Sequence, residues 1–73
     1  MNPLIDTAIE LELTAQRAEG IRADLTTKIN TTDNREAQRR LMALWQQSDR
    51  LARAARRDAL YLRAVVAETD AAK

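Results

Sequence analysis

The sequence predicts an all-α protein: a two-helix antiparallel hairpin that dimerises into a four-helix bundle. Three observations carry this expectation. Leu4, Ala8, Leu11, Ala15, Ala18, Arg22, Leu25 and Ile29 are spaced alternately four and three residues apart, and Leu62, Asp58, Ala55, Leu51, Ser48, Leu44, Leu41 and Ala37 repeat that spacing backwards. Such spacing marks one face of a helix. Each pair, from 4 with 62 to 29 with 37, adds to 66, as when one helix folds back on another. The second observation is compositional: one Gly and one Pro in the whole chain argue against strands and long loops. The third is size. A chain of 73 residues buries only about 60% of the surface it exposes when unfolded, and small scaffolds of this kind need a staple. With no Cys and no His, disulfides and the common zinc sites are excluded, which leaves association.

The first helix is expected over residues 3–29. Asn2 is a suitable N-cap, Pro3 suits the first helical position, and Asp6 suits the positive end of the helix dipole. A polar turn follows at 30–33, short enough to force antiparallel neighbours. Asp33 and Glu36 have the spacing of a capping box for the second helix, expected over 34–68, with a frayed tail at 69–73. All of this forms a single domain over residues 1–73. The sum-66 register also alternates sizes: Leu11 faces Ala55, Ala15 faces Leu51, Ile29 faces Ala37, and Ala18 meets Ser48 in a thin layer. Arg22 and Asp58 interrupt this apolar seam. Arg22 is expected to lay its stem over the seam and reach Glu19, and both residues are expected to fix register.

The seam does not use up the apolar residues. Trp45, Ala52, Ala59 and Val66 form a second stripe beside it at seven-residue spacing, widened by Met42, Ala54, Leu60 and Tyr61. Ile5, Ile9 and Leu13 form another on the first helix. A contiguous exposed apolar patch marks an interface. The candidate dimer or partner interface is therefore Ile5, Ile9, Leu13, Met42, Trp45, Ala52, Ala59, Tyr61 and Val66. Gly20 lies mid-helix, where glycine costs about 1 kcal/mol relative to Ala. Close approach of another helix and neutral drift explain it equally well.

Net charge is only +1, but it is unevenly divided. The first helix has five acidic and three basic residues; the second helix and its tail have nine basic and five acidic ones. Arg39, Arg50, Arg53, Arg56, Arg57 and Arg63 fall at outward positions, a candidate face for an acidic partner or for nucleic acid. The plainest reading is a solvated face that balances an acidic neighbour. Against nucleic acid stand the interspersed acids and the lack of aromatic residues placed to stack on bases.

Catalytic chemistry has little to work with. There is no His or Cys, no Gly-rich phosphate loop and no Glu-x-x-His pair. No enzyme activity, metal or cofactor is expected. Asn30-Thr31-Thr32 matches a glycosylation sequon, but no secretory signal accompanies it. No apolar run approaches the roughly 20 residues of a membrane span. The expected home is the cytoplasm. In architecture the chain resembles the Rop-type RNA-binding hairpin and short phage-encoded hairpins that inhibit host regulators, a likeness of topology that carries over no residues. The expected function is that of a non-catalytic interaction protein, an inhibitor or adaptor that binds and modulates a larger protein partner such as a regulator. The alternative is a Rop-like dimeric RNA- or DNA-binding protein that uses the Arg-rich face of the second helix.

Overall fold

Two long helices account for nearly all of residues 2–71, the part of the chain that the structure, a computed structural model, describes. Helix α1 spans Pro3–Thr31 and α2 spans Arg35–Ala71. They fold against each other along their length into a rod of 59 × 15 × 13 Å, with no strand among the described residues. The second helix begins one residue later than the expected 34–68 and runs on past its close: residues 69–71 are helical rather than frayed, while 72 and 73 lie outside the described residues.

The ends of the helices follow from their side chains. The Asn2 carboxamide oxygen accepts the Leu4 amide at 2.9 Å, and Pro3 opens the helix without needing a hydrogen-bond acceptor. At the turn, Asn34 rather than Asp33 caps α2: its Oδ1 accepts the Glu36 and Ala37 amides at 2.9 and 3.1 Å. Glu36 is therefore not half of a capping box. It turns along the helix to Arg40 at 3.0 Å. Gln38 closes the turn by donating from Nε2 to the Thr32 carbonyl at 2.6 Å and the Ile29 carbonyl at 3.3 Å. Those acceptors sit at the end of α1, where the last carbonyls have no partner within the helix.

The seam on α1 is the expected one from Ala8 onward, while Leu4 at its head is exposed. Ala8, Ala15, Ala18 and Leu25 are buried, and Leu11, Arg22 and Ile29 are half-buried between them. The seam on α2 is not. Its buried residues are Ala52, Ala55, Ala59 and Val66, with Leu41, Trp45, Ser48 and Leu62 half-buried. Leu44 and Leu51, expected inside, are 49% and 52% exposed, and Asp58 is on the surface paired with Arg57. The buried stripes now match as 15 with 55, 18 with 52 and 25 with 45, each pair adding to 70. The cross-hairpin bonds nearest the turn agree, Arg22 with Asp49 and Thr26 with Trp45 both adding to 71, while the long arginines of Arg56–Glu19 and Arg63–Glu12 reach further along the rod and add to 75. Helix α2 has thus slid by one turn, roughly 6 Å, and rolled by one residue relative to the expected register.

Close packing explains the choice. In the observed register Ala15 and Ala18 oppose Ala55 and Ala52, so the two backbones can approach to the short end of the usual 8–10 Å range. The alternative would have inserted Leu51 against Ala15 and placed the Asp58 carboxylate inside. Burial of an unpaired carboxylate is far more costly than exposure of a leucine. The consequence is an inverted hairpin. Six of the eight buried residues are alanines, while Leu13, Ile21, Leu44, Leu51 and Leu60 remain exposed. At Gly20 an added Cβ would meet nothing within 4 Å, so close approach within the hairpin does not explain that glycine.

Candidate functional site: two unlike flanks of the hairpin

The two flanks of the seam differ in chemistry, and the difference follows from the register. Glu12 and Glu19 each follow a seam residue on α1, and Arg56 and Arg63 each follow one on α2. In an antiparallel pair such positions meet on the same side. Arg56 donates from Nε and Nη2 to both Glu19 oxygens at 2.9 and 2.6 Å, and Arg63 does the same to Glu12 at 2.9 and 2.7 Å. These are bidentate pairs one heptad apart, the geometry that makes a guanidinium–carboxylate contact strong. A third connection lies on the same flank. Asp49 accepts from Arg22 across the hairpin and pairs with Arg53 of its own helix at 3.0 Å. The expected Arg22–Glu19 contact is thus replaced by Arg22–Asp49, because the one-turn slide brings Asp49 opposite Arg22 and gives Glu19 to Arg56.

Each carboxylate is held below its ordinary range, chiefly by its hydrogen-bonded arginine: Arg63 for Glu12, Arg56 for Glu19 and Arg22 for Asp49. The same bonds raise Arg56 and Arg63. A carboxylate with a depressed folded-state pKa stabilises the fold above its unfolded pKa. That contribution is lost as pH falls through the folded value. Thermal stability should therefore fall as pH drops below the ordinary values near 4.5 for Glu and 3.8 for Asp. In the Glu12→Gln, Glu19→Gln, Asp49→Asn triple variant the acid limb of a Tm-against-pH curve should flatten. A wild-type curve that does not move in that range would refute this role for the three pairs.

Near the turn the same flank opens into a cleft of about 340 Å³ lined by Thr26, Ile29, Asn30, Met42, Trp45 and Gln46. The indole Nε1 of Trp45 donates to Thr26 Oγ1 at 3.0 Å, which anchors the ring across the hairpin. Met42, 51% exposed, forms the outer wall.

The candidate interface residues are therefore not one surface. Ala52, Ala59 and Val66 are buried in the hairpin's own seam, and Trp45 is half inside it. Ile5 is half-buried at the start of α1, while Ile9, Leu13 and Tyr61 are exposed there and on the open half of α2. Met42 lines the cleft. The candidate basic face is divided too: Arg53, Arg56, Arg57 and Arg63 pair with Asp49, Glu19, Asp58 and Glu12, while Arg39 and Arg50 have no acidic partner among the described residues. The residues missed were Leu44, Leu51 and Ile21. Asp58 was the signal that could have found them, since it lies on the line of Leu44 and Leu51 and forces that line outward.

Among the described residues no cluster of His, Cys, Asp and Glu could hold a metal ion, and no helix is long and apolar enough to cross a membrane. No family model, no curated protein and no solved structure matches this chain.

Proposed function

We propose that this chain is a non-catalytic interaction protein: a helical hairpin that dimerises into a four-helix bundle and binds a larger protein partner, which it modulates as an inhibitor or adaptor in the cytoplasm. One observation carries the reading. The hairpin seals its own interior mainly with alanine and leaves Ile9, Leu13, Ile21, Leu44, Leu51, Leu60 and Met42 exposed. Exposed apolar area at this density marks surfaces that another protein covers. The Met42–Trp45 cleft supports partner docking in particular, since a pre-formed apolar recess with a tethered aromatic wall suits an inserted side chain.

The alternative, a dimeric RNA- or DNA-binding protein, draws less support. Phosphate binding relies on cations free to replace counterions. Here Arg53, Arg56, Arg57 and Arg63 already hold carboxylates of the same chain.

The test is affinity capture from native lysate with wild type and Met42→Glu compared, after circular dichroism has shown equal helicity. A protein partner retained by wild type and lost from Met42→Glu is the expected result. Capture of nucleic acid, with affinity falling steeply with salt and unaffected by Met42→Glu, would overturn the reading in favour of the alternative.

A further inference from the structure

The flank opposite the ion pairs carries a different set of residues. Positions that precede a seam residue meet on this side: Ile21 on α1, Leu44 and Leu51 on α2. They are 53%, 49% and 52% exposed. In the register that adds to 70, Ile21 stands level with position 49, between Leu44 and Leu51, so the three form one apolar row in the turn-side half of the rod. The charges on this line are Lys28, which stands beside Leu44 at the turn end of the row, and Asp58 towards the open end, one of each sign. No ion pair crosses the hairpin here among the described residues, whereas three cross on the other flank.

We infer that this flank is the self-association face, covered by a second copy of the chain in a two-fold dimer. Area is the first argument. A side of 59 by 15 Å offers of order 900 Å², room for the roughly 800 Å² per partner of a stable standard-size interface. The second is shape. A rod side with a single apolar row can meet its own copy about a two-fold axis through that row, as an isologous interface requires. Six large side chains then meet at the axis, and Lys28 and Asp58 of each copy bracket them with opposite charge. The third is what the hairpin lacks. Among its buried residues only Leu25 and Val66 are larger than alanine, and the row supplies further large side chains. The ion-paired flank and its Met42–Trp45 cleft stay open in this dimer. The inference deepens the assembly half of the proposed function and rests on it. A monomeric chain would overturn it without touching capture of a partner through Met42.

Sedimentation equilibrium of the full chain over a concentration range decides it. Wild type should show twice the 8.3 kDa chain mass at the upper concentrations. The alanine pair Leu44→Ala with Leu51→Ala leaves the internal seam intact and keeps strong helix formers, so it should still fold while dimerising at least tenfold more weakly. Leu44→Lys with Leu51→Lys should be monomeric. The matched variant on the opposite flank, Met42→Lys with Leu60→Lys, should dimerise like wild type. A wild type that stays monomeric throughout overturns the inference. So does a dimer that the alanine pair leaves unchanged, or one weakened equally by Met42→Lys with Leu60→Lys. Higher-order association that ignores Leu44 and Leu51 would count against it in the same way.

Discussion

Substitution of leucine for Ala18 should destabilise the hairpin by about 1–3 kcal/mol, the usual cost of forcing extra methylenes into a packed interior. Ala18 is 2% exposed, and so is Ala52, the residue matched to it across the seam. The two helices lie close together because neither presents more than a methyl group at this level. A leucine has no rotamer that fits between them, so the helices must separate locally and the neighbouring Ala15–Ala55 layer loses contact as well. In a domain of this size each kcal/mol is worth roughly 4–8 °C in Tm. Thermal melts followed at the helical circular-dichroism band should show the drop directly. Ala43→Leu is the control: Ala43 is exposed on the outer side of α2, and surface changes of this kind stay within about 0.5 kcal/mol. If Ala18→Leu melts with the wild type, the middle of the seam is not closely packed and the observed register is wrong.

The second large effect is expected at the other kind of layer. Leu25 is the largest side chain on α1 that the hairpin buries, at 8% exposure, and it is matched with Trp45 near the turn. Leu25→Ala should cost about 2–4 kcal/mol, the transfer and cavity terms together for a large-to-small change at a buried site. For a marginal small domain that is a large share of the total stability. The site also reports on itself. Trp45 is the sole tryptophan, so its emission should shift to the red as water reaches the ring. Unchanged emission together with an unchanged Tm would mean that Leu25 is not packed on the indole. The two substitutions move volume in opposite directions, and both should destabilise. Wide layers near the turn and narrow ones in the middle are set by the same register.

Much of the fold was legible in the chain. Asn2-Pro3 announces the start of α1, and the polar stretch around Asn30–Asn34 announces the turn. The seam of α1 could be read because its alternative stripe, Ile5-Ile9-Leu13, stops halfway along the helix. The seam of α2 could not be read in the same way. Positions 41, 48, 55 and 62 belong to either choice, and the decision lay between the line of Leu44, Leu51 and Asp58 and the line of Trp45, Ala52 and Ala59. Weighting leucine above alanine selects the first, and the structure takes the second. With it went the candidate site. Ala52, Ala59 and Val66 moved inside, the arginines found carboxylates, and the exposed row became Ile21, Leu44 and Leu51.

Local physics acts within about one turn of helix, so the sequence by itself determined two helices, the cap of the first, the antiparallel turn and the heptad repeat. Capping, helix propensity and periodicity need no knowledge of a neighbour. The stagger and roll of α2 against α1 were decided only in the tertiary structure, because they depend on how two surfaces fit at once. Alanine against alanine lets the backbones close, that closeness leaves no room for leucine, and the one-turn slide that achieves it aligns Glu12 with Arg63, Glu19 with Arg56 and Asp49 with Arg22. Which residues are left for another molecule is a remainder of that fit, and a remainder cannot be read from either helix alone.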